Sequence, residues 1–473
     1  MEKGNFDEKV ENSIRNSNHK FIEENLISFL KIPSYTLNPK GIEKAKEYLI
    51  NYISTISEEI EEFKGEINPL ILAKVKGENE TPLLIYMMYD TQPINNDARW
   101  ISNPFAAEIH NLPAPLDKLG NCIISRGSYN SKSPLICFLN VIKILKDTKK
   151  LPVSLLLLFD GEEEVGSPSL LKILNNRKDL FKSCIDAYYP AAKQDIEGKA
   201  VLKLGYKGIL SLNVKLVSKN KETHSAYSSF IPNPAVELID LINLIYSKGK
   251  FNIPSLEKKY KLSNEEVRII DALQNEIDLE KIKQKAGITQ TLKEDIKQAF
   301  VDYLFDPTFN ISTLKSGYLG EGSKNIVPKS ADCNIDIRFA HHTSIVDIFK
   351  EIKNLVEIYA KNSKLEVSIK KNISYEGSRV NIDSNLIKSL IESFKKLEVE
   401  IEIWPLSAAA APLSKIQKEL GINFIVGGLG IGGYAHSPNE FIQVDSIIHM
   451  RLSYYYFLKI YSDLIDLQKN RSI

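Results

Sequence analysis

This sequence has few cysteines, no excess of either charge and no long hydrophobic stretch. Each of these absences excludes a class of protein. The four cysteines are scattered and form no CxxC pair, which favours buried free thiols over a disulfide framework. Lysine plus arginine number 61 against 60 acidic residues, so no global field attracts nucleic acid or an anionic membrane. No apolar run approaches the roughly 20 residues that span a bilayer. The polar N-terminal stretch lacks the pattern of a secretory signal, so a cytoplasmic protein is expected.

The length and the order of apolar segments predict more than one domain. A chain of 473 residues is too long for a single hydrophobic core. Helices are predicted over most of residues 18–60 and over 133–145, and buried strands over 70–75, 81–86 and 152–159. Alternating helices and continuously apolar strands predict an α/β fold with a mixed sheet flanked by helices.

The pattern changes near residue 207. From there strands with one polar face alternate with amphipathic helices, which predicts a smaller α/β domain inserted into the first. Its predicted elements are a strand at 209–217, a helix at 232–246, a helical insertion at about 252–305, a strand at 334–339, a helix at 344–360 and a strand at 365–369. The expected domains are therefore 1–206 and 378–473, two parts of a catalytic-type domain, with a lid or dimerisation domain at 207–377 between them.

Four polar loops follow predicted elements of the first domain, at residues 87–93, 125–134, 160–167 and 432–440. Functional loops in open α/β sheets gather at the carboxyl ends of the strands. The three adjacent glutamates, Glu162 to Glu164, indicate either a cation site or a helix N-terminus, where acids need no ligand. His436 indicates either a site residue or an isolated loop histidine.

Ordered motifs along nearly the whole chain resemble one enzyme family. They are FLKIPSYT at 29–36, MYDTQP at 88–93, RWISNPFA at 99–106, THS at 223–225, PNP at 232–234, SGYLGEGSKNIVP at 316–328, IDIRF with its Arg338, and AHSPNE at 435–440. The sequence resembles the zinc exopeptidases that include carnosinase, glutamate carboxypeptidase, aminoacylase and acetylornithine deacetylase. MYDTQP and SGYLGEGSK place the resemblance in the carnosinase-like dipeptidase branch.

The resemblance implies two divalent metals, but three ligand positions carry unsuitable residues. Met88 stands where the family has the histidine of the first metal, and its thioether is a poor zinc partner among carboxylates. Asn130 stands at the bridging aspartate and carries no charge to offset two dications. Ala192 stands at the acidic ligand of the first metal. Asp90 matches the residue that orients the first-metal histidine, and with Met88 there we expect it to have nothing to orient.

Other positions keep the family's residues. The resemblance implies that Glu163 is the general base, and that Glu164 and His436 are ligands of the second metal, with Asn130 as a weak third. His224 corresponds to the lid-domain histidine that stabilises the oxyanion. Asn325 and Arg338 correspond to the residues that bind the substrate carboxylate. In residues 407–412, SAAAAP replaces a glycine-rich loop, and its methyl groups are expected to narrow the specificity pocket.

Two functions remain open on these residues. The first is a protein without standard two-zinc activity, either a pseudoenzyme or a subunit that lends His224 to an active paralogue in a heterodimer. The second is an active hydrolase of dipeptides or N-acyl amino acids with a single or atypical metal site. The expected cofactor is one weakly bound zinc or other divalent ion, or none. Expected partners are a small carboxylate-bearing ligand and a second copy in a homodimer. Lys193, next to Ala192, is either a substitute cation for the vacated metal site or a surface lysine.

Overall fold

The computed structural model of the chain describes residues 2–57, 59–94, 99–258, 260–278, 280, 283, 287–411 and 414–471. The fold is α/β with a mixed sheet flanked by helices, which confirms the predicted class. The chain forms two compact units. Unit 1 consists of Met1–Leu204, Val380–Trp404 and Lys415–Ile473, and unit 2 consists of Gly205–Arg379 and Pro405–Ser414.

A six-stranded mixed sheet forms the centre of unit 1. In spatial order its strands are Glu59–Phe63, Leu70–Val75, Val153–Asp160, Asn79–Met88, Asp186–Pro190 and Asn423–Gly427. The first three pair antiparallel, whereas the last four run parallel to one another. The carboxyl ends of those four strands therefore meet at one edge of the sheet. The loops that follow them carry most of the candidate site residues.

A second sheet in unit 1 holds two further loops side by side. Its strands, in spatial order, are Gly432–Gly433, Phe441–Gln443, Asn121–Ile124 and Glu108–Asn111. Because Phe441 pairs with Ile124, the segment after Ile124 runs beside the segment before Phe441. The Ser125 amide N–H donates to the Glu440 carbonyl oxygen at 2.9 Å, which continues this pairing into the loops. The sequence patterns did not predict this sheet, whose strands are all short.

Helices and short strands complete unit 1. The α-helices are Glu2–Asn16, Asn18–Phe21, Ile27–Leu30, Pro39–Ile53, Lys132–Asp147, Leu170–Asn176, Lys178–Phe181, Asn385–Lys395, Ser414–Leu420 and Ser446–Arg471, with a π-helical turn at Ile22–Leu26 and 3-10 turns at Asp117–Leu119 and Glu163–Val165. Ala200–Lys203 and Ile401–Trp404 form a parallel pair. The prediction of helix up to residue 60 is wrong at its end. Glu59–Phe63 is an edge strand, because pairing with Leu70–Val75 outweighs the helical propensity of its glutamates.

Arg451 joins two distant parts of unit 1. Its guanidinium is fully buried and donates to the Ile14 carbonyl oxygen at 2.8 Å and to the Asn18 side chain at 2.9 Å. It also donates to Ser17 at 2.9 Å and to Asn140 at 2.5 Å. These partners are uncharged, and burial lowers the pKa of Arg451 to about 10. The hydrogen bonds tie helix Ser446–Arg471 to the helices near residue 16.

Unit 2 is a four-stranded antiparallel sheet with helices packed against it. In spatial order its strands are Thr308–Ser316, Ser330–Phe339, Gly208–Val217 and Glu366–Tyr375. Buried and more exposed residues alternate along Gly208–Val217, as its sequence predicts. The helices are Pro234–Ile245, Pro254–Glu257, Asn264–Glu276, Ile296–Phe305 and Ile345–Asn362, with a 3-10 turn at Ser225–Tyr227. Two-residue ladders pair Thr223–His224 with Ile326–Val327, Gly205–Tyr206 with Ser378–Arg379, and Tyr246–Ser247 with Lys250–Phe251.

The four cysteines are buried and unpaired. Within the described part of the chain, every helix is too short or too polar to cross a bilayer.

Candidate active site

The three adjacent glutamates have separate environments, although the sequence presents them as one acidic cluster. Glu162 is fully buried and accepts hydrogen bonds from three backbone N–H groups. These come from Ile67 at 2.7 Å, Asn68 at 3.0 Å and Ser169 at 3.1 Å. Glu162 therefore anchors the loop after strand Val153–Asp160 to the backbone of neighbouring segments.

Asp90 has partners, which corrects the expectation that it has nothing to orient. One carboxylate oxygen accepts from the Glu163 amide N–H at 3.2 Å, and the other accepts from the Glu164 amide N–H at 3.1 Å. The Thr36 hydroxyl donates to it at 3.1 Å. Burial, with the charges of Asp160 and Glu164, raises the pKa of Asp90 well above its ordinary value. Asp90 thus positions the backbone of both candidate glutamates.

Glu163 lies among like charges. Burial is the main cause that raises its pKa well above the ordinary value, and the charges of Glu164, Asp90 and Asp160 raise it further. Lys193 acts in the opposite direction. A carboxyl group with a raised pKa holds a proton more readily near neutral pH, which suits an acid–base group.

Glu164, Asn130 and His436 lie together in a hydrogen-bonded network. The Asn130 side-chain amide donates to Glu164 Oε1 at 3.0 Å, and its Nδ2 lies 3.0 Å from His436 Nε2. His436 Nε2 also lies 3.2 Å from Glu164 Oε1, and this contact is the main cause that raises the pKa of His436. The second Glu164 oxygen accepts from Gln92 Nε2 at 2.8 Å. Glu164 is thus bonded on both of its oxygens by neighbours within the unit.

The loop that contains Asn130 depends on a buried ion pair that the sequence patterns did not reveal. Glu440 Oε1 accepts from the amide N–H groups of Tyr129 at 3.0 Å and Asn130 at 2.8 Å. Its other oxygen lies 2.7 Å from Arg126 Nη1, and both side chains are buried. Gln92 was also missed as a site residue. All three stand in loops that the motifs mark, but only the fold shows that these loops meet.

His436 occupies a strained position. Its φ of 63° lies in the left-handed region that residues other than glycine seldom adopt. Its side chain is 52% exposed, whereas that of Glu164 is 4% exposed. The imidazole therefore presents an accessible face next to a buried carboxylate.

The residues expected at the first-metal positions offer no side-chain ligand that suits a divalent cation. Met88 ends strand Asn79–Met88 with its side chain buried, and Ala192 is buried as well. Neither offers an oxygen or nitrogen ligand from its side chain. Among the described residues, no group of three or more His, Cys, Asp and Glu side chains is arranged to hold a metal ion. Of the residues expected at the second metal, Glu164 and His436 carry side chains that could bind a metal, and Asn130 directs a donor toward Glu164.

Lys193 stands close to this site and not on an open surface. It follows Ala192 beyond strand Asp186–Pro190, and its Nζ lies 5.9 Å from the centroid of the Tyr129 ring. Burial lowers the pKa of Lys193, and the charge of Glu163 raises it in turn.

Unit 2 carries the three residues expected on the lid. His224 pairs with Ile326, and the Ser225 amide N–H donates to the Asn325 carbonyl oxygen at 2.9 Å, so His224 and Asn325 lie on adjacent segments. Both are exposed. Arg338 lies on strand Ser330–Phe339 and donates from Nη1 to the Ala408 carbonyl oxygen at 3.3 Å. Ala408 belongs to the predicted pocket segment 407–412, of which Pro412 lies outside the described residues.

The mixed sheet, the loops at its carboxyl edge and the smaller inserted unit form the architecture that M20 family peptidases share. Residues 84–459 match the model of peptidase family M20/M25/M40. The chain belongs to this family. Membership in this family implies the use of a divalent metal, generally zinc, which is the rule among the relatives of this chain.

Curated relatives and solved structures agree with this assignment. The chain is 21% identical to human Beta-Ala-His dipeptidase over 67% of its own length, a match that spans 62% of the human protein, less than two thirds. It is 23% identical to Cys-Gly metallodipeptidase DUG1 of Candida albicans over 91% of this chain and 92% of that protein. Among structures, an M20 family metallo-carboxypeptidase, Sso-CP2 from Sulfolobus solfataricus, superposes with a TM-score of 0.81 at 28% identity, covering 93% of this chain and 98% of that one. Human carnosine dipeptidase 1 superposes with a TM-score of 0.72 at 18% identity, over 97% and 100% of the two chains, and shows the shared fold.

Proposed function

We propose that this chain binds a small ligand with a free carboxylate, such as a dipeptide or an N-acyl amino acid, without hydrolysing it by the two-metal route. One observation carries the proposal. At the position that corresponds to the bridging ligand, Asn130 donates an N–H to Glu164 and adds no negative charge. A bridge between two dications needs an anionic oxygen at this place.

The charges of the site support the same conclusion. Two closely spaced metals bring four positive charges, which need several carboxylates to offset them. Met88, Asn130 and Ala192 supply none. Glu164 already accepts from Asn130 and Gln92, so a metal there would have to displace those hydrogen bonds. We expect at most one weakly held divalent ion at Glu164 and His436. The buried, unpaired cysteines suit a reducing compartment such as the cytoplasm.

The ligand class rests on unit 2. Arg338 retains a guanidinium on a strand that positions it, and a guanidinium matches a carboxylate with two parallel hydrogen bonds. Asn325 is exposed and able to donate a further hydrogen bond. Relatives named as a dipeptidase and a metallo-carboxypeptidase support a ligand that carries a terminal carboxylate.

Metal analysis and ligand binding on the purified chain test this function together. We expect less than one zinc per chain, no turnover of dipeptides or N-acyl amino acids, and calorimetric binding of the free acids but not of their C-terminal amides. Arg338→Met should weaken binding by about tenfold or more, because it removes the carboxylate's bidentate partner. Arg268→Met, at an exposed arginine of the same unit, is the matched control. Two zinc ions per chain with turnover would refute the proposal.

An active hydrolase with a single or atypical metal is the second candidate. It is favoured by the retention of Glu163 with a raised pKa beside the Glu164–His436 pair. It also agrees with the relatives named metallodipeptidases. The same assays separate the two candidates. Turnover that EDTA abolishes, and that Glu163→Gln abolishes at unchanged metal content, would establish the second function.

The retained lid residues also suggest a partner. We propose a homodimer, and the alternative is a heterodimer in which His224 completes the site of an active paralogue. His224 is exposed and held by a two-residue ladder, so it is available to another chain. Co-purification from the native source identifies the partner. His224→Ala should then lower the activity of the co-purified paralogue, and a chain that is isolated only with copies of itself would exclude the heterodimer.

A further inference from the structure

A buried lysine of unit 2 closes the end of a helix. Lys207 has no exposed surface, and its ammonium group donates to the Tyr303 carbonyl oxygen at 2.8 Å and to the Asp306 carbonyl oxygen at 2.6 Å. In a continuing α-helix the Tyr303 carbonyl oxygen would accept from the amide of residue 307. That residue is Pro307, which has no N–H and lies just beyond helix Ile296–Phe305. Lys207 therefore supplies the donor that the chain itself lacks at this helix end.

The same contact links the two strands that flank Arg338. In the sheet of unit 2, Arg338 pairs with Thr308 on one side and with Ile209 on the other. Thr308 follows Asp306 by two residues, and Ile209 follows Lys207 by two residues. The hydrogen bond from Lys207 to Asp306 therefore joins the beginnings of both neighbouring strands, close to the positions that pair with Arg338.

The backbone of Lys207 holds a third segment next to Arg338. Its amide N–H donates to the Ser407 carbonyl oxygen at 3.0 Å, and the Ser407 amide N–H donates to the Gly205 carbonyl oxygen at 2.8 Å. The carbonyl oxygen of the next residue, Ala408, accepts from Arg338 Nη1 at 3.3 Å. The segment that accepts a hydrogen bond from the guanidinium is thus fixed by the residue that joins the two strands.

We propose that Lys207 is a positioning residue for Arg338 and holds its guanidinium in the orientation that receives a carboxylate. The inference rests on the proposed function, in which Arg338 binds the carboxylate of the ligand. A side chain that is already fixed loses less conformational entropy on binding, so its hydrogen bonds contribute more to affinity. Because Lys207 is buried, it acts through Arg338 and not on the ligand.

The experiment measures how fast phenylglyoxal, a reagent for arginine side chains, modifies Arg338 in the folded full chain, with mass spectrometry of the peptides. We expect Lys207→Met to speed the modification of Arg338 by roughly fivefold, because the guanidinium is no longer held in place. Arg268, an exposed arginine of the same unit, should keep its rate. Lys207→Arg, whose guanidinium can donate to both carbonyl oxygens, should keep the rate of Arg338 near that of the unaltered chain.

Lys371→Met is the matched control. Lys371 is an exposed lysine on strand Glu366–Tyr375 of the same sheet, and its amine lies 5.4 Å from the centroid of the Phe349 ring. Its replacement should leave the reactivity of Arg338 unchanged. Circular dichroism checks that each variant is folded. If Lys207→Met does not fold, Lys207→Gln takes its place, because its amide keeps a donor in the same buried space, and it should speed the modification of Arg338 by roughly twofold or more.

Binding of a carboxylate gives the second readout. The probes are alanylalanine and its C-terminal amide, titrated by calorimetry. Lys207→Met should weaken binding of the free acid by roughly fivefold. The same change should have no further effect in the Arg338→Met background, where the guanidinium that Lys207 positions is absent.

The inference and the proposed function fail in different ways. Unchanged reactivity of Arg338 in the folded Lys207 variant, or an equal rise at Arg268, would overturn the role of Lys207 while leaving carboxylate binding by Arg338 untouched. If the unaltered chain does not distinguish alanylalanine from its amide, the carboxylate role of Arg338 is overturned, and the purpose assigned to Lys207 with it.

Discussion

At the scale of single residues, neighbours in the sequence take unrelated roles. Glu162 accepts hydrogen bonds from backbone N–H groups of two segments, Glu163 lies among like charges, and Glu164 is bonded on both oxygens. Three adjacent glutamates therefore have three different roles. Glu162 anchors a loop, Glu163 is a candidate acid–base group, and Glu164 belongs to the hydrogen-bonded network with Asn130 and His436.

The hydrogen bonds of Glu162 predict that a conservative substitution of this residue lowers the stability of the protein. Glu162→Gln keeps the shape of the side chain but turns an NH₂ group toward backbone N–H donors. We expect a loss of about 1–3 kcal/mol in stability, the cost of leaving a buried donor unsatisfied. Urea denaturation followed by circular dichroism measures it. Glu163→Gln is the control, because it removes a repelled carboxylate, and it should leave stability unchanged or increase it.

The change Asn130→Asp tests whether the network excludes metal. An aspartate there places a second carboxylate about 3 Å from Glu164, a like-charge contact that costs roughly 1–3 kcal/mol without a cation. In EDTA the Tm should fall, and zinc should recover it together with a rise in bound metal measured by mass spectrometry.

Asn121→Asp controls for the added charge, because this exposed residue begins strand Asn121–Ile124 outside the network. If the two variants respond alike to EDTA and zinc, the network does not decide metal binding.

At the scale of elements, helix Asn264–Glu276 of unit 2 shows how one carboxylate starts a helix. Glu266 accepts from the Ser263 amide N–H at 2.8 Å, while Ser263 Oγ accepts from the Glu266 amide N–H at 3.2 Å, a capping box. Glu266 also contacts Arg379 at 3.2 Å. Burial raises the pKa of Glu266, but these hydrogen bonds and the arginine charge outweigh it and leave the pKa lowered.

A lowered carboxyl pKa makes the contribution of Glu266 depend on pH. The folded state favours the ionised form, so this stabilisation is present above the unfolded pKa and is lost as the pH falls through the folded pKa. Glu266→Gln should cost about 1–3 kcal/mol at pH 7 and less near pH 3. Denaturation at both pH values measures the difference. Glu265→Gln also alters a contact with Arg379 but leaves the capping box intact, so its loss at pH 7 should be smaller.

Secondary-structure elements were predicted well from the sequence where the residues of a single segment show a clear pattern. The strand at 70–75 has the predicted bounds, and the strand predicted at 152–159 is Val153–Asp160, since a continuous apolar run indicates a buried strand. Within the region 18–60 that was predicted to be mostly helical, one helix begins at Pro39, because Asn38 caps it and accepts from the Gly41 amide N–H at 3.2 Å. The motifs also marked the loops whose residues the fold brings together, Glu164, Asn130 and His436.

Pairings between distant segments were not predictable in the same way. Arg126 and Glu440 form their ion pair only because Phe441–Gln443 pairs with Asn121–Ile124, and such short strands have no pattern of their own. Two of the partners of Asp90 are backbone N–H groups, and the residue types in the sequence do not reveal such partners. The polar segment at Glu2–Asn16 is helical although its sequence pattern did not predict a helix, and the Arg451 guanidinium donates to the carbonyl oxygen of Ile14 within it.

At the scale of the whole molecule, unit 2 exposes apolar side chains along an unpaired edge. Strand Thr308–Ser316 lies at the edge of its sheet, with Ile311 39% and Leu314 55% exposed. Phe230 is 85% exposed elsewhere in the same unit. Long exposed edges with apolar side chains pair with other chains unless something covers them.

We therefore expect a homodimer that forms through this edge. Ile311→Lys with Leu314→Lys should convert it to a monomer in light scattering coupled to gel filtration, because charges on an edge oppose pairing. Ile109→Lys, on exposed strand Glu108–Asn111 of unit 1, should leave the dimer intact. A dimer that survives both edge lysines would place the interface on another surface.

The hydrogen bonds of Arg451 have a consequence for how the protein is made. Strand Asn423–Gly427 and the Arg451 guanidinium must both have left the ribosome before the central sheet and the helices near residue 16 can be completed. Most of unit 2, by contrast, is one continuous stretch, Gly205–Arg379, that is released earlier. During translation the inserted unit can therefore fold before unit 1 is complete, because the sixth strand of the central sheet and helix Ser446–Arg471 are synthesised last.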